Sequence, residues 1–125
     1  MAAKKGKVVV TAQPDSGLDL VTCVVQRGKA DGVVKAAIAA GAGGATVYFA
    51  RGMGVRERLG LLGLAIVAEK EVLLLVTPRK DTQKIFDAVV EAAGLRTPGL
   101  GIAYVCNITQ VAGLIPQGAP ISKGR

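Results

Sequence analysis

Short, fully apolar runs alternate along the chain with stretches that are apolar on one side only. Residues 18–26, LDLVTCVVQ, are β-branched and apolar without alternation, the pattern of a strand buried on both faces. From 29 to 41, Ala30, Val33, Val34, Ala37 and Ile38 recur at i, i+3, i+4, i+7 and i+8, which predicts a helix with one apolar stripe. Gly41 and the GAGG run that it opens close it. ATVYFA (45–50) predicts a second strand, with Tyr48 and Phe49 on opposite faces, one in the core and one at an interface. AEKEVLLLVT (68–77) predicts a third, charged at its start and apolar at its end. Thr77-Pro78 suits an N-cap followed by proline at the first helical position. A second helix then runs to about Ala93, with Thr82, Ile85, Phe86, Val89, Ala92 and Ala93 facing inward, and Gly94 ends it. LRTPGLG (95–101) is a loop, and IAYVCNI (102–108) a fourth strand. An accessory strand within 7–12 and a weak last element in TQVAGLI complete the reading.

The order is β-α-β-β-α-β. Right-handed crossovers make this an α+β chain of the ferredoxin-like split βαβ class (βαββαβ), an antiparallel four-stranded sheet with both helices on one face. Strands apolar on both sides are unusual in a sheet with one face in water. The uncovered face therefore predicts a homo-oligomer whose sheets pack on one another. The expected organisation is a basic extension at 1–17, one domain at 18–115, and a polar tail at 116–125.

Composition narrows this further. A chain of 125 residues favours one domain. With two Phe, two Tyr and no Trp, the core has to be built from Val, Leu, Ile and Ala. No apolar run approaches the roughly 20 residues of a spanning helix. The apolar part of MAAKKGKVVV is too short for a secretory signal, so the expected compartment is the cytoplasm. Cys23 and Cys106, both in apolar runs, are expected as small buried hydrophobes in a reducing compartment. The absence of histidine and of clustered cysteine argues against zinc. The net charge of +7 owes much to Lys4, Lys5, Lys7, Lys123 and Arg125 near the ends, where solubility explains it as well as an anionic partner does.

The middle of the chain is harder to explain as scaffold. RGMGVRERLGLLGLAIVAEK (51–70) inserts three arginines and four glycines between two strands. Glycine turns can present backbone N–H groups to anionic oxygens with no Cβ in the way, and Gly52, Gly54, Gly99 and Gly101 are placed to do so. Arginine binds phosphate or bicarbonate through a bidentate fork. Arg51, Arg56 and Arg58 are the candidates, Arg51 first because it stands at the base of the excursion. Each has a plain alternative: glycines mark ordinary turns, arginines a solvated loop. LGLLGLAIV (59–67) is apolar enough to be a partner-docking tip, or equally an arm packed on a neighbouring subunit.

With a long loop between strands two and three, this architecture resembles the PII signal-transduction family over about 18–114. GGATV (43–47) is similar to the family's stretch at the start of strand two, RGMG (51–54) to the K-G-x-G at the base of its T-loop, and PGLG (98–101) to the G-x-G of its B-loop. The resemblance implies a trimer, adenine nucleotide (ADP, AMP or ATP) bound in clefts between subunits, and a T-loop at about 51–68 that moves in response. It implies nucleotide-binding roles for Gly44, Thr46, Arg51, Gly52, Gly54, Gly99 and Gly101, with Arg56 and Arg58 as anion-binding residues of the T-loop. It also implies a non-enzymatic regulator of a membrane transporter or of an enzyme in inorganic-carbon or nitrogen metabolism. The departures are specific. Ile102 stands where the family has a phosphate-reaching lysine, and TQVAGLIP lacks the family's paired arginines. The T-loop tyrosine, glutamine and lysine are also missing. This resembles a divergent branch, one carboxysome-associated member of which adds bicarbonate to the nucleotide. Fewer cations imply a preference for ADP or AMP over ATP.

Two other classes fit the same fold. A ferredoxin-like nucleic-acid module would stack bases on exposed aromatics, of which this chain offers almost none, so no nucleic-acid partner is expected. A structural trimer of the cation-tolerance type would bind nothing in its long loop. An enzyme is disfavoured by the lack of histidine, of a serine nucleophile motif and of paired carboxylates.

Overall fold

The computed structural model describes residues 7–10, 15–52 and 68–115. Along the chain run β1 (Lys7–Val10), β2 (Leu18–Gln26), α1 (Ala30–Ala39), β3 (Thr46–Gly52), β4 (Ala68–Pro78), α2 (Arg79–Ala93), β5 (Gly101–Ile108) and β6 (Ala112–Ile115). Strands β2 to β5 form one antiparallel sheet in the order β3-β4-β2-β5, the ferredoxin-like arrangement. β4 and β2 are the two inner strands, each with a neighbour on both sides.

The register sorts side chains by face. Val21, Cys23 and Val25 of β2 pair with Leu75, Leu73 and Glu71 of β4 and share the side covered by helices. Ala30, Val33 and Ala37 of α1 and Ile85 and Val89 of α2 pack there to form the core. Two expected helix-face residues stay outside it. Ile38 is 50% exposed, and Ala92 is exposed. The stripe on each helix is narrower than its apolar content suggests.

Helix α1 has no side-chain cap of its own at Lys29. Its first amides are met from across the sheet. The nearly buried Glu71 accepts from the N–H groups of Gly28 (2.8 Å) and Ala30 (3.0 Å), placing a carboxylate at the positive end of the helix. Helix α2 begins one residue later than Thr77-Pro78 suggests, with Pro78 as N-cap. The Thr77 hydroxyl does not cap. It pairs with the Thr82 hydroxyl at 2.7 Å in a buried position. Gly94 ends α2 in the left-handed conformation (φ 65°), donating to Glu91 while Leu95 donates to Val90.

A polar clamp holds the chain where it enters β2. Arg79 donates to Asp19 (3.2 Å), Asp15 (3.0 Å) and the Leu18 carbonyl (3.2 Å), and Thr82 donates to the other Asp19 oxygen (2.7 Å). Asp19 is 3% exposed, so its charge is held by partners that satisfy both oxygens. Asp15 titrates below its ordinary range because Arg79 hydrogen-bonds it, helped by the Gly17 amide. The Ser16 amide and hydroxyl both reach the carbonyl of Ile108 at the end of β5. Beyond this clamp, β1 pairs antiparallel with β6, from Lys7 opposite Ile115 to Val10 opposite Ala112.

Candidate functional site

Among the described residues no helix covers the second face of the sheet. In register across it lie Tyr48, Val72, Val24 and Ile102, and next to them Thr46, Leu74, Thr22 and Tyr104. Ile102 is 58% exposed and Tyr104 46%. Cys106 lies opposite Leu20 on this face and is exposed, whereas Cys23 is buried on the other; both thiols are free. This corrects the expectation that both cysteines are buried. Desolvation pushes the Cys23 thiol up to about 11. Tyr48 and Phe49 do point to opposite faces, but neither is core: they are 48% and 69% exposed. The reason is position, since β3 is an edge strand reaching past the cover of the helices.

The candidate binding residues distribute along both edges of this sheet. Gly44 lies in the extended connection before β3, and exposed Thr46 opens β3 opposite Leu74. Arg51 and Gly52 end β3 opposite Glu69 and Ala68. Thr46 and Arg51 are therefore five residue steps apart along β3, about 17 Å. Gly99 and Gly101 are on the other edge, before and at the start of β5, with Gly101 opposite Val25. Gly52 and the Gly99–Gly101 turn are at the same end of the sheet, yet β4 and β2 lie between them, so they are three strand spacings, about 14 Å, apart. One protomer does not bring them together. Gly54, Arg56 and Arg58, like the 59–67 tip, lie outside the described residues.

Gly101 is glycine for a reason apparent in one protomer. A Cβ there would sit 2.2 Å from the carbonyl oxygen of Val24. Gly99 has φ 86°, a left-handed turn position, and its carbonyl accepts from Gln26 Nε2 at 3.5 Å. Gly52 is different. An added Cβ would meet only Lys70 side-chain carbons, at 3.7 Å. Arg96, in the loop before β5, is well exposed and 4.0 Å from Glu91.

Residues that the sequence reading passed over complete this end of the sheet. Arg27, just after β2, donates from Nη1 to Glu69 Oε1 at 2.6 Å and lies over the Phe49 ring, 5.5 Å from its centroid. A basic residue following a strand gives no hint of such partners, because they are 42 and 22 positions away. Among the described residues no group of three or more His, Cys, Asp or Glu is placed to hold a metal. No helix among them is long and apolar enough to cross a membrane.

The sequence model for the nitrogen regulatory protein P-II family matches residues 18–116. The chain belongs to the PII family. Among solved structures it resembles that of Arabidopsis thaliana PII bound to citrate, with a TM-score of 0.61 and 22% identity, covering 77% of this chain and 81% of that one. No curated protein matches it. The PII fold accounts for the sheet order and for both helices lying on one face. The matched segment begins at β2, so β1 precedes the shared PII region.

Proposed function

We infer that this PII-family chain is a signalling subunit that works as a homotrimer and binds adenine nucleotide in clefts between subunits. The observation that carries the reading is the placement of Gly52 and of the Gly99–Gly101 turn, at one end of the sheet but on opposite edges. A second copy can supply the missing half. Gly44, Thr46, Arg51 and Gly52 would come from one protomer, with Gly54, Arg56 and Arg58 following in its T-loop, and Gly99 and Gly101 from the neighbour. The apolar uncovered face, with Ile102 and Tyr104 half exposed, supports the same assembly.

Backbone amides of the glycine turns and the guanidinium of Arg51 would hold the phosphates, and the strand between Thr46 and Arg51 is long enough to separate base from phosphate. Ile102 on the open face brings no charge to the phosphates, which favours ADP or AMP over ATP, with bicarbonate as a second ligand. The T-loop would carry the state of the cleft to a membrane transporter or a metabolic enzyme in the cytoplasm. Ligand biases the loop only by binding one of its states better. The chain would regulate rather than catalyse, the 18–115 unit doing so between the 1–17 extension and the 116–125 tail.

Calorimetry with AMP, ADP and ATP, with and without bicarbonate, run beside sedimentation, tests this. A trimer binding one nucleotide per cleft is expected. ATP binding much tighter than AMP would remove the stated preference, and a monomer that binds none would remove the whole reading. A ligand-free structural trimer would show no rise in melting temperature with any nucleotide.

A further inference from the structure

Arg51 stands directly opposite Glu69 in the β3–β4 ladder. Side chains opposed in this way are about 5 Å apart at Cβ, and opposite charges there attract. A carboxylate in the fork of Arg51 would block the contact that a phosphate needs. Yet among the described residues Arg51 makes no ion pair, and Glu69 is taken by Arg27 instead, at 2.6 Å. Arg27 is held in place by two further contacts. Its amide donates to the Glu69 carbonyl at 3.2 Å, and its guanidinium rests over Phe49. The side chain thus crosses from the end of β2 over β4 to β3. The other acid on this face of β4, Glu71, is occupied by the amides of Gly28 and Ala30. Both carboxylates near Arg51 are engaged by the turn that follows β2.

We propose that Arg27 is a positioning residue of the anion site: by holding Glu69, it leaves the guanidinium of Arg51 open to an incoming phosphate oxygen. This rests on the reading of Arg51 as an anion ligand. It also gives Phe49 a role, as the platform that keeps Arg27 over the strand, and explains why so large a ring stays on an exposed edge.

The test is a double-mutant cycle with Arg27→Met, which keeps an apolar stem over Phe49, and Glu69→Gln, using pyrophosphate and ATP as probes at low salt. Arg27→Met should weaken binding about three-fold, the scale of an exposed ion pair. Glu69→Gln should not weaken it, the double variant should bind as the parent does, and Arg27→Lys should keep near-parental affinity. In parallel, the Arg51 Nε–Hε signal in 15N NMR should shift and exchange more slowly in Arg27→Met, and return in the double variant. Simple addition of the two single effects, or an Arg51 signal unchanged in Arg27→Met, overturns the proposal. If the parent binds neither probe, the nucleotide reading fails, and the Arg51 signal alone decides whether Arg27 keeps Glu69 from Arg51. Far-UV circular dichroism of each variant confirms folding.

Discussion

Gly101→Ala separates what a site glycine does for folding from what it does for binding. The new Cβ would lie 2.2 Å from the Val24 carbonyl oxygen, about 1 Å inside contact distance. The oxygen belongs to the inner strand β2 and is held by the ladder, so it cannot swing away as a side chain would. Forcing such a contact costs about 1–3 kcal/mol. The backbone at φ 152° adds a further penalty of about 1 kcal/mol for a residue with a Cβ. A loss of about 2–4 kcal/mol is a large share of the 5–15 kcal/mol typical of a domain. With a urea m-value of about 1–2 kcal/mol/M it lowers the midpoint by about 2 M. The assay is urea unfolding followed by far-UV circular dichroism at one fixed protomer concentration. Gly52→Ala serves as the control. Its Cβ meets only Lys70 carbons at 3.7 Å, so its midpoint should stay within about 0.3 M of the parent. A Gly101→Ala midpoint equally close to the parent would refute the reasoning. The contrast matters for binding studies. Lost affinity in Gly101→Ala reports a distorted fold, whereas lost affinity in Gly52→Ala reports the site.

Other expectations follow from the clamp, the thiols and the core. Asp15 is depressed by Arg79, so its contribution to stability is present above its ordinary value of 3.8 and is lost as pH falls through the lower folded value. Asp15→Asn should therefore flatten the stability profile below about pH 4, and an unchanged acid limb would contradict the pairing. Arg79→Met leaves buried Asp19 with one partner fewer and should lower the urea midpoint, by more than Asp15→Asn does at neutral pH. Cys23 is buried, with its thiol raised to about 11, so at pH 8 it should react with a thiol reagent only on unfolding; two thiols labelled rapidly in the native protein would contradict its placement. Ile85→Ala, at a fully buried position between helix and sheet, should lower stability by about 2–5 kcal/mol without loss of secondary structure.

What local pattern controls was legible in the sequence. The β-branched density of 18–26 gives β2 at its full length, and both helices follow from the 3.6-residue spacing of Val33 and Ala37, and of Ile85 and Val89. The sheet order follows from handedness once the elements are placed. What failed depends on partners far along the chain. Glu71 caps α1 from another strand, so nothing near Lys29 signals it, and the chain shows no local cap. Thr77 looks like a cap until Thr82 takes its hydroxyl. One of Tyr48 and Phe49 reads as core because both are aromatic, but on an edge strand neither is buried. Cys106 has the apolar neighbours of a core residue, and only the register shows that it faces away from the helices. The glycine turns of the candidate site were visible as motifs. The sheet width that separates them, and the Arg27–Glu69 pair beside Arg51, were not, since neither leaves a periodicity to read.

The position of β2 bears on how the protein is made. It precedes both of its neighbours in the sheet, β4 and β5, along the chain, and β5 ends only at Ile108. A growing chain can therefore pair β2 on one edge once β4 has emerged, but leaves its other edge open until β5 follows. The clamp from Ser16 to Ile108 can close only after that. A ribosome stalled near residue 90 would display a strand in need of a chaperone, and release from that dependence should coincide with emergence of residues 101–108 from the exit tunnel.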